Sequence, residues 1–209
     1  GGKTVILEKI VESRMGENTY VVGDENTKKC IVVDPGASFV DIMNIVKKHN
    51  LNIQYIVLTH GHGDHITNVL KLKEETNAKI VAHEEEKEIL LDKRKNLSAS
   101  LPSNTVECDA DIYVKDNDTL QVGDMKLKFI HTPGHTPGSM CIKIGKHMLT
   151  GDTLFAGSIG RTDFYGGDYK KMEKSLKRLK NQDDDIEVYP GHGPSSNLKI
   201  EKMTNPFMR

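Results

Sequence analysis

Thr59-His60-Gly61-His62-Gly63-Asp64-His65 sets three imidazoles and one carboxylate close together, with Gly61 and Gly63 between them to let the backbone fold tightly. Tyr55–Leu58, just before it, is a short apolar run of the buried-strand type. A loop leaving such a strand can aim several side chains at one point, and imidazole nitrogen with carboxylate oxygen suits zinc or a similar borderline metal. Three later segments repeat the order of apolar run, donor, then Gly or Pro: Gly134-His135-Thr136-Pro137-Gly138, Thr150-Gly151-Asp152-Thr153 and Pro190-Gly191-His192-Gly193-Pro194. Alone, each donor reads as a loop residue with a local hydrogen-bonding role. Together, His60, His62, Asp64, His65, His135, Asp152 and His192 make seven, the number required if one carboxylate bridges two ions that also share a water.

Outward from this loop, Thr4–Ile10, Tyr20–Val22 and Cys30–Val33 read as short strands parted by turn signals such as Gly23-Asp24. Val40, Met43 and Val46 recur at helical spacing behind Ser38, which can cap, so a helix is predicted from Ser38 to His49. Past the loop, Ile66, Val69 and Leu70 restore helical periodicity, Lys79–Ala82 is a short strand and Glu84–Leu91 a helix. Asp92–Asn104, with its Lys, Asn and Ser, has no clear period and reads as an exposed loop, a candidate pocket wall. The second half repeats the rhythm with strands at Thr119–Val122, Lys126–His131, Met140–Ile144 and His147–Leu149, then a helix from about Asp168 and a strand at Ile186–Tyr189. Gly123-Asp124 and Gly145-Lys146 mark hairpin turns. Strand runs followed by helices in both halves predict an α/β (α+β) sandwich, two sheets face to face with helices outside.

The 209 residues suit one domain spanning 1–209 with a real core. With 29 basic residues against 30 acidic, the chain lacks the basic footprint of a nucleic-acid binder, so no nucleic-acid partner is expected. Lys170, Lys171, Lys174, Lys177, Arg178 and Lys180 read as the solvated face of a helix. No apolar run approaches a membrane span or a signal-peptide core, so the expectation is a cytoplasmic protein without a membrane partner. Cys30, Cys108 and Cys141 are odd in number and widely spaced, which fits reduced thiols, Cys30 and Cys141 lying in the core.

The seven donors resemble the metallo-β-lactamase superfamily, and within it the glyoxalase II-like hydrolases, whose pattern is His-x-His-x-Asp-His followed by separate His, Asp and His. The similarity runs over nearly the whole chain, Gly151–Asp168 and the ending Asn205-Pro206-Phe207 included. It implies the metallo-β-lactamase fold, a four-layer αββα sandwich. It implies that His60, His62, His135 and Asp152 hold one ion, and that Asp64, His65, His192 and a bridging Asp152 hold the other. Val33-Asp34-Pro35-Gly36 matches the family's early Asp motif and implies that Asp34 braces the ligand loop. The implied substrate is a small-molecule thioester such as S-lactoylglutathione or a related acyl-thiol. Two divalent ions, zinc first with Fe or Mn open, lower the pKa of a shared water from about 15.7 toward ~7 and polarise the carbonyl. Asp64 would orient that bridging hydroxide. The resemblance does not reach the C-terminal helices with which full-length glyoxalase II proteins grip glutathione, so their grip on the glutathione moiety is not an expectation for the residues after His192.

Arg161 reads either as the anchor for a substrate carboxylate or as a partner of Asp163, and Tyr165 and Tyr169 as residues of the same rim. His49 ends a helix, His83 and His147 read as histidines without neighbouring ligands, and His131 as a structural residue or a donor behind His135. Two rival activities share the fold. Gly160-Arg161-Thr162-Asp163-Phe164 and Gly134–Gly138 also resemble the mononuclear iron persulfide dioxygenases, and lactone hydrolysis is open to the same donors. The short Leu154–Ser158 connection resembles the hydrolases. A flavin-linked diiron reductase carries Glu where His62 stands, and the complete donor set argues against an inert binding module.

Overall fold

Successive side chains of a strand point to opposite faces of its sheet, so strands apolar on both faces must be covered on both. The computed structural model describes residues 4–102 and 104–209. Strands β1 (Val5–Val11), β2 (Asn18–Asp24), β3 (Lys29–Val33), β4 (Asn52–Val57), β5 (Lys79–His83) and β6 (Ile112–Val114) lie side by side in that order. β1, β2 and β3 pair antiparallel, and β3 to β6 pair parallel. Parallel neighbours need crossovers. Helix α1 (Phe39–Lys48), then α2 (Gly63–Ile66) with α3 (Val69–Thr76), and finally α4 (Lys87–Leu90) with the following loop lie in those crossovers.

In the second sheet β7 (Thr119–Val122), β8 (Met125–His131), β9 (Met140–Ile144) and β10 (His147–Gly151) form an antiparallel run. After a small hairpin of β11 (Leu154–Phe155) and β12 (Ser158–Ile159), helix α5 (Tyr169–Lys180) crosses to β13 (Glu187–Pro190), which lies parallel to β10. β14 (Ser196–Asn197) and α6 (Leu198–Thr204) follow. Between the sheets, Tyr20, Val22, Ile31, Val33, Val57 and Val81 meet Leu127, Phe129, Met140, Ile142 and Leu149. The alternate residues Val21, Cys30, Val32, Ile56 and Ile80 face outward beneath Ile42 and Val46 of α1 and Val69 and Leu72 of α3. On the far side Ile130, Cys141, Met148 and Val188 pack under Met172, Leu176 and Leu179 of α5 and Leu198 of α6. The layers run αββα, as predicted.

Ser38 caps α1 by accepting the Asp41 N–H at 3.1 Å, and Asp168 caps α5 by accepting the Lys171 N–H at 3.1 Å. The lysines of α5 stand exposed, while Arg178 binds Asp116 at 2.7 Å. All three cysteines are buried free thiols. Both hairpin glycines, Gly123 and Gly145, take the positive φ that such turns require. Gly23-Asp24 is a different case. It sits inside β2, where a side chain on residue 23 would press on Leu51, and the turn comes just after it. Asp92–Asn104 also departs from the expected exposed loop, because Asn96 and Ser98 are fully buried. The Asn96 amide donates to the Val106 carbonyl at 2.8 Å and accepts the Ser98 N–H at 2.9 Å. Among the described residues no helix is long and apolar enough to cross a membrane.

Candidate metal centre

The seven donors of the sequence converge at one end of the sandwich because each follows a strand that ends there. β4 leads to His60 and His62, α2 carries Asp64 and His65, the β8–β9 connection carries His135, and Asp152 and His192 follow β10 and β13. Gly61 and Gly63 serve this by being small rather than by unusual torsions: a Cβ on Gly63 would lie 2.8 Å from Ser98 Cα. Gly191 is similarly constrained, its space bounded by Asp152 Oδ1 and His65 Cε1. The last loop is gripped by β2. Asn18 donates its side-chain amide to the Pro190 and Gly193 carbonyls at 3.0 and 2.9 Å, and the Tyr20 hydroxyl donates to Pro190 at 2.7 Å.

Hydrogen bonds behind the rings decide which nitrogens face inward. Asp34 Oδ1 accepts the Thr59 N–H at 2.8 Å, and its Oδ2 accepts the Thr59 hydroxyl at 2.6 Å and His65 Nδ1–H at 2.8 Å. Asp34 thus braces the ligand loop, as its motif implied. With the Thr59 hydrogen given to Asp34, its oxygen is free to accept His60 Nδ1–H, 3.1 Å away. His135 Nδ1–H donates to the Arg161 carbonyl at 2.7 Å. His60, His65 and His135 are therefore left with Nε2 as the free donor, and His62 turns Nδ1 to within 3.0 Å of His135 Nε2.

The spacing inside fits metal ions. Ligands about 2.0–2.1 Å from a tetrahedral ion lie about 3.3–3.4 Å apart. Here His65 Nε2 is 3.3 Å from both His192 Nε2 and Asp152 Oδ1, and His135 Nε2 is 3.4 Å from Asp152 Oδ2. Asp152 Oδ2 also lies 3.7 Å from His60 Nε2 and 3.5 Å from His192 Nε2, and Asp64 Oδ2 is 3.1 Å from His192 Nε2. Two groups of possible ligands stand out, His60 with His62 and His135, and Asp64 with His65 and His192. Asp152 touches members of both. His60 Nε2 and Asp152 Oδ1 are buried without a hydrogen-bond partner among the described residues, a condition that a bound cation satisfies.

The electrostatics agree. Burial, reinforced by neighbouring histidines, holds His60 well below the ordinary imidazole range and His62 down to about 3, so both keep a free lone pair. Burial opposes ionisation of Asp152, but His65, His135 and His192 overcome it and keep that carboxyl well below its usual range. Burial likewise works against charge on His192, yet Asp152 and Asp64 raise it to about 9. The cluster draws positive charge toward itself.

Two buried glutamates escaped the sequence reading. Glu86, in a one-turn 3₁₀ helix after β5, accepts the Gly61 N–H and the Thr136 hydroxyl on Oε2, both at 2.7 Å, and the Gly138 N–H on Oε1 at 3.0 Å. It therefore ties the loop of His60 and His62 to the loop of His135. Burial pushes its pKa up to about 7. Glu17 lies behind His65, its Oε1 3.9 Å from Nδ1, and burial raises it well above the ordinary range. Glu84-Glu85-Glu86 and a lone Glu between turns look solvated in a sequence, and nothing local marks either residue as buried.

Other expected residues fall in several places. Arg161 lines the site, but its exposed guanidinium is bound by Asp163 through two hydrogen bonds of 2.6 and 2.7 Å. Tyr165 binds Glu88 at 2.8 Å instead of facing the donors, and Tyr169 opens α5 as an exposed residue. His83 does have neighbours, contrary to expectation. Its ring stacks on His131 at 3.9 Å, 12° from parallel, beside Glu85. Stacked rings keep their in-plane lone pairs in parallel planes, and two nitrogens are already engaged. His83 Nδ1 accepts the Glu85 N–H, and His131 Nε2–H donates to the Pro137 carbonyl at 2.8 Å, which steadies the His135 loop.

Two cavities adjoin the centre, the first reaching five of the donors and the second only Asp64. One, of about 470 Å³, is walled by Met15, Leu97, Leu101, Phe155, Ile159 and Phe164 and reaches His62, His135, Asp152 and His192. The other, of about 560 Å³, is polar, lined among others by Glu12, Arg14, Ser38, Asn68 and Asn104. Asp64 and Met15 border both.

Comparison with known proteins places this geometry in a family. The pattern described as the metallo-beta-lactamase superfamily matches residues 14–192. A protein of Aquifex aeolicus is 35% identical, over 97% of both chains. The hydroxyacylglutathione hydrolase GloC of Haemophilus influenzae is 30% identical, again over 97% of both. Among solved structures, the B3 metallo-beta-lactamase BLEG-1 superposes with a TM-score of 0.89 at 30% identity, over 97% of this chain and 99% of that one. ETHE1 from Myxococcus xanthus gives 0.81 at 31% identity, over 96% and 83%, and TTHA1623 in a di-iron-bound form gives 0.84 at 28%, over 96% and 99%. The chain belongs to the metallo-beta-lactamase superfamily.

Proposed function

We propose that this protein is a metal-dependent thioester hydrolase of the glyoxalase II-like type, acting on S-lactoylglutathione or a related acyl-thiol. The observation that carries the reading is the set of seven converging donors, whose spacing would suit two adjacent ions with Asp152 within reach of both and room for a water beside four protein donors each. Its likeness to GloC of Haemophilus influenzae over 97% of both chains supports the acyl-thiol class. In this reading His60, His62, His135 and Asp152 would hold the first ion, and Asp64, His65, His192 and Asp152 the second. Zinc is the first choice for both, and the di-iron form of TTHA1623 keeps iron open beside Mn. When bound, such ions supply a water that ionises near neutral pH and a Lewis acid for the carbonyl.

The chain's own residues do the rest. Asp34, Thr59 and Glu86 hold the donor rings in place. Asp64, open to both cavities, accepts a hydrogen bond from the attacking water and orients it. A thiol leaving group, with an ordinary pKa of about 8.5, departs as thiolate without a strong general acid. Arg161 is the proposed anchor for a substrate carboxylate, which must displace Asp163; the pair is exposed, so the exchange costs little. The core between the sheets draws on both halves of the chain, which supports a single domain over 1–209.

The test is a panel of thioesters, lactones and persulfides against protein reconstituted separately with Zn, Fe and Mn. Thioester turnover with two ions bound is the expected outcome. One iron per chain with oxygen uptake on a persulfide, a result the ETHE1 likeness makes worth seeking, would replace the hydrolase reading with a dioxygenase.

A further inference from the structure

The two cavities that meet at Asp64 differ in chemistry, and a thioester has two ends. We propose that the acyl group enters the apolar cavity and the thiol carrier the polar one, so that the enzyme prefers thioesters of apolar acyl chains several carbons longer than lactoyl. This rests on the thioester reading above and names the substrate class within it.

The apolar cavity is continuous with the donor cluster: His62, Asp64, His135, Asp152 and His192 form one side, and six apolar side chains face them. The volume of about 470 Å³ is that of a small-molecule site, far more than a two- or three-carbon acyl group fills. Apart from the donors, Arg161 is the one charged residue among the described lining; exposed at the rim, its guanidinium lies over the Phe164 ring at 4.1 Å and is paired with Asp163, so it meets a substrate carboxylate only where one reaches the rim from the carrier side. A short polar acyl group would leave this wall in contact with water.

The wall is also built rather than incidental. Leu97 takes φ +69°, a left-handed torsion unfavourable for a leucine, and is held there between the buried Asn96 and Ser98. Asn96 also accepts the Gly63 N–H on its carbonyl at 2.8 Å, so the loop bearing Leu97 and Leu101 is tied directly to the ligand loop. The polar cavity, with Glu12, Arg14, Ser38, Asn68 and Asn104, offers donors and acceptors that a carrier rich in amides and charges can use. Met15, at the tip between β1 and β2, divides the two.

Burying one methylene is worth about fourfold in a binding constant; a cavity open at its mouth reduces this to roughly 2.5-fold. From acetyl to hexanoyl, four methylenes, kcat/KM should then rise about 40-fold with one and the same thiol carrier. The experiment measures kcat/KM for acetyl, lactoyl, butyryl, hexanoyl and octanoyl thioesters of glutathione with zinc-loaded protein. Alongside it, calorimetry follows binding of the matching straight-chain carboxylates to the same protein. A rise with chain length in both series, flattened in Leu101→Ser, is the expected result. Turnover that is level or falls with chain length, with carboxylates binding equally, overturns the inference and leaves the hydrolase reading standing. Absence of turnover for every thioester overturns that reading instead, and the carboxylate series then decides the cavity by itself: tighter binding of longer chains supports an apolar acyl site, and equal binding refutes it.

Discussion

Glu86→Gln separates holding the site from holding the fold. The substitution keeps size and shape but exchanges one acceptor oxygen for an NH2 group. With the amide oxygen in the Oε2 position, the Gly61 N–H and Thr136 hydroxyl keep their acceptor, and the new NH2 faces the Gly138 N–H, donor against donor. At pH 5, where the parent carboxyl is protonated, losing this hydrogen bond to a neutral acceptor costs about 0.5–1.5 kcal/mol. Against this stands the cost of ionising a wholly buried carboxyl whose pKa is raised to about 7. Because the folded pKa exceeds the unfolded one, the contribution of Glu86 is fully present below the unfolded value and is lost as pH rises through about 7. Between pH 5 and pH 8 that loss amounts to about 2.5 kcal/mol, which glutamine does not suffer. The metal-free variant should therefore be slightly less stable than the parent at pH 5 and about 1–2 kcal/mol more stable at pH 8. Metal affinity should behave differently, falling about 10-fold at pH 8 because the His135 loop loses its anchor at Gly138 while Gly61 and Thr136 keep theirs. Urea unfolding of metal-free protein at both pH values, zinc titration, and hydrogen exchange at Gly61 and Gly138 make the comparison, with Ile42→Ala as a destabilised control remote from the centre. A stability difference independent of pH would show that Glu86 is not a raised carboxyl. Unchanged zinc affinity with unchanged exchange would remove it from the support of the donors.

Three other outcomes follow from the geometry. Asp152→Ala should weaken at least one ion strongly and be the more damaging carboxylate change, because Asp152 touches members of both donor groups; Asp64→Ala should retain the first ion, and a metal titration giving the reverse order would exchange their roles. Arg161→Ala should raise KM for an anionic thioester severalfold with little change in kcat, since a remote carboxylate is held alike in ground and transition states; equal KM values would leave Arg161 as the partner of Asp163 alone. Burial pushes all three cysteine thiols up to about 12, so at pH 8 roughly one in ten thousand is ionised, and a thiol reagent should label the native protein only as it unfolds. Rapid labelling of any one would contradict its buried position.

Elements with several periods of pattern were legible: α1 behind Ser38, the β7–β8 and β9–β10 hairpins at their glycines, and β8 with Lys126 and Lys128 alternating outward. Short ones were not. β6 spans three residues, and in α6 only Leu198 and Glu201 are buried, too little to make a period. Of Gly23-Asp24, Asp24 does start the turn, accepting the Asn26 N–H at 3.1 Å, whereas Gly23 is small for the packing of Leu51.

By itself the sequence determined which atoms could bind a metal, since donor chemistry belongs to residue type, and the strand-then-loop order that brings His60, His62, Asp64, His65, His135, Asp152 and His192 to a common edge. Only the tertiary structure decided what stands behind and beside them. Glu17 and Glu86 are charged residues that become supports of the site because distant loops close over them and exclude water. Leu97 and Leu101 sit in a segment with no period, and they become a cavity wall because Asn96 binds carbonyls and amides that the chain brings together only on folding. Local pattern reports what a residue can do; burial and partners, set by contacts far apart in the chain, decide which of those things it does.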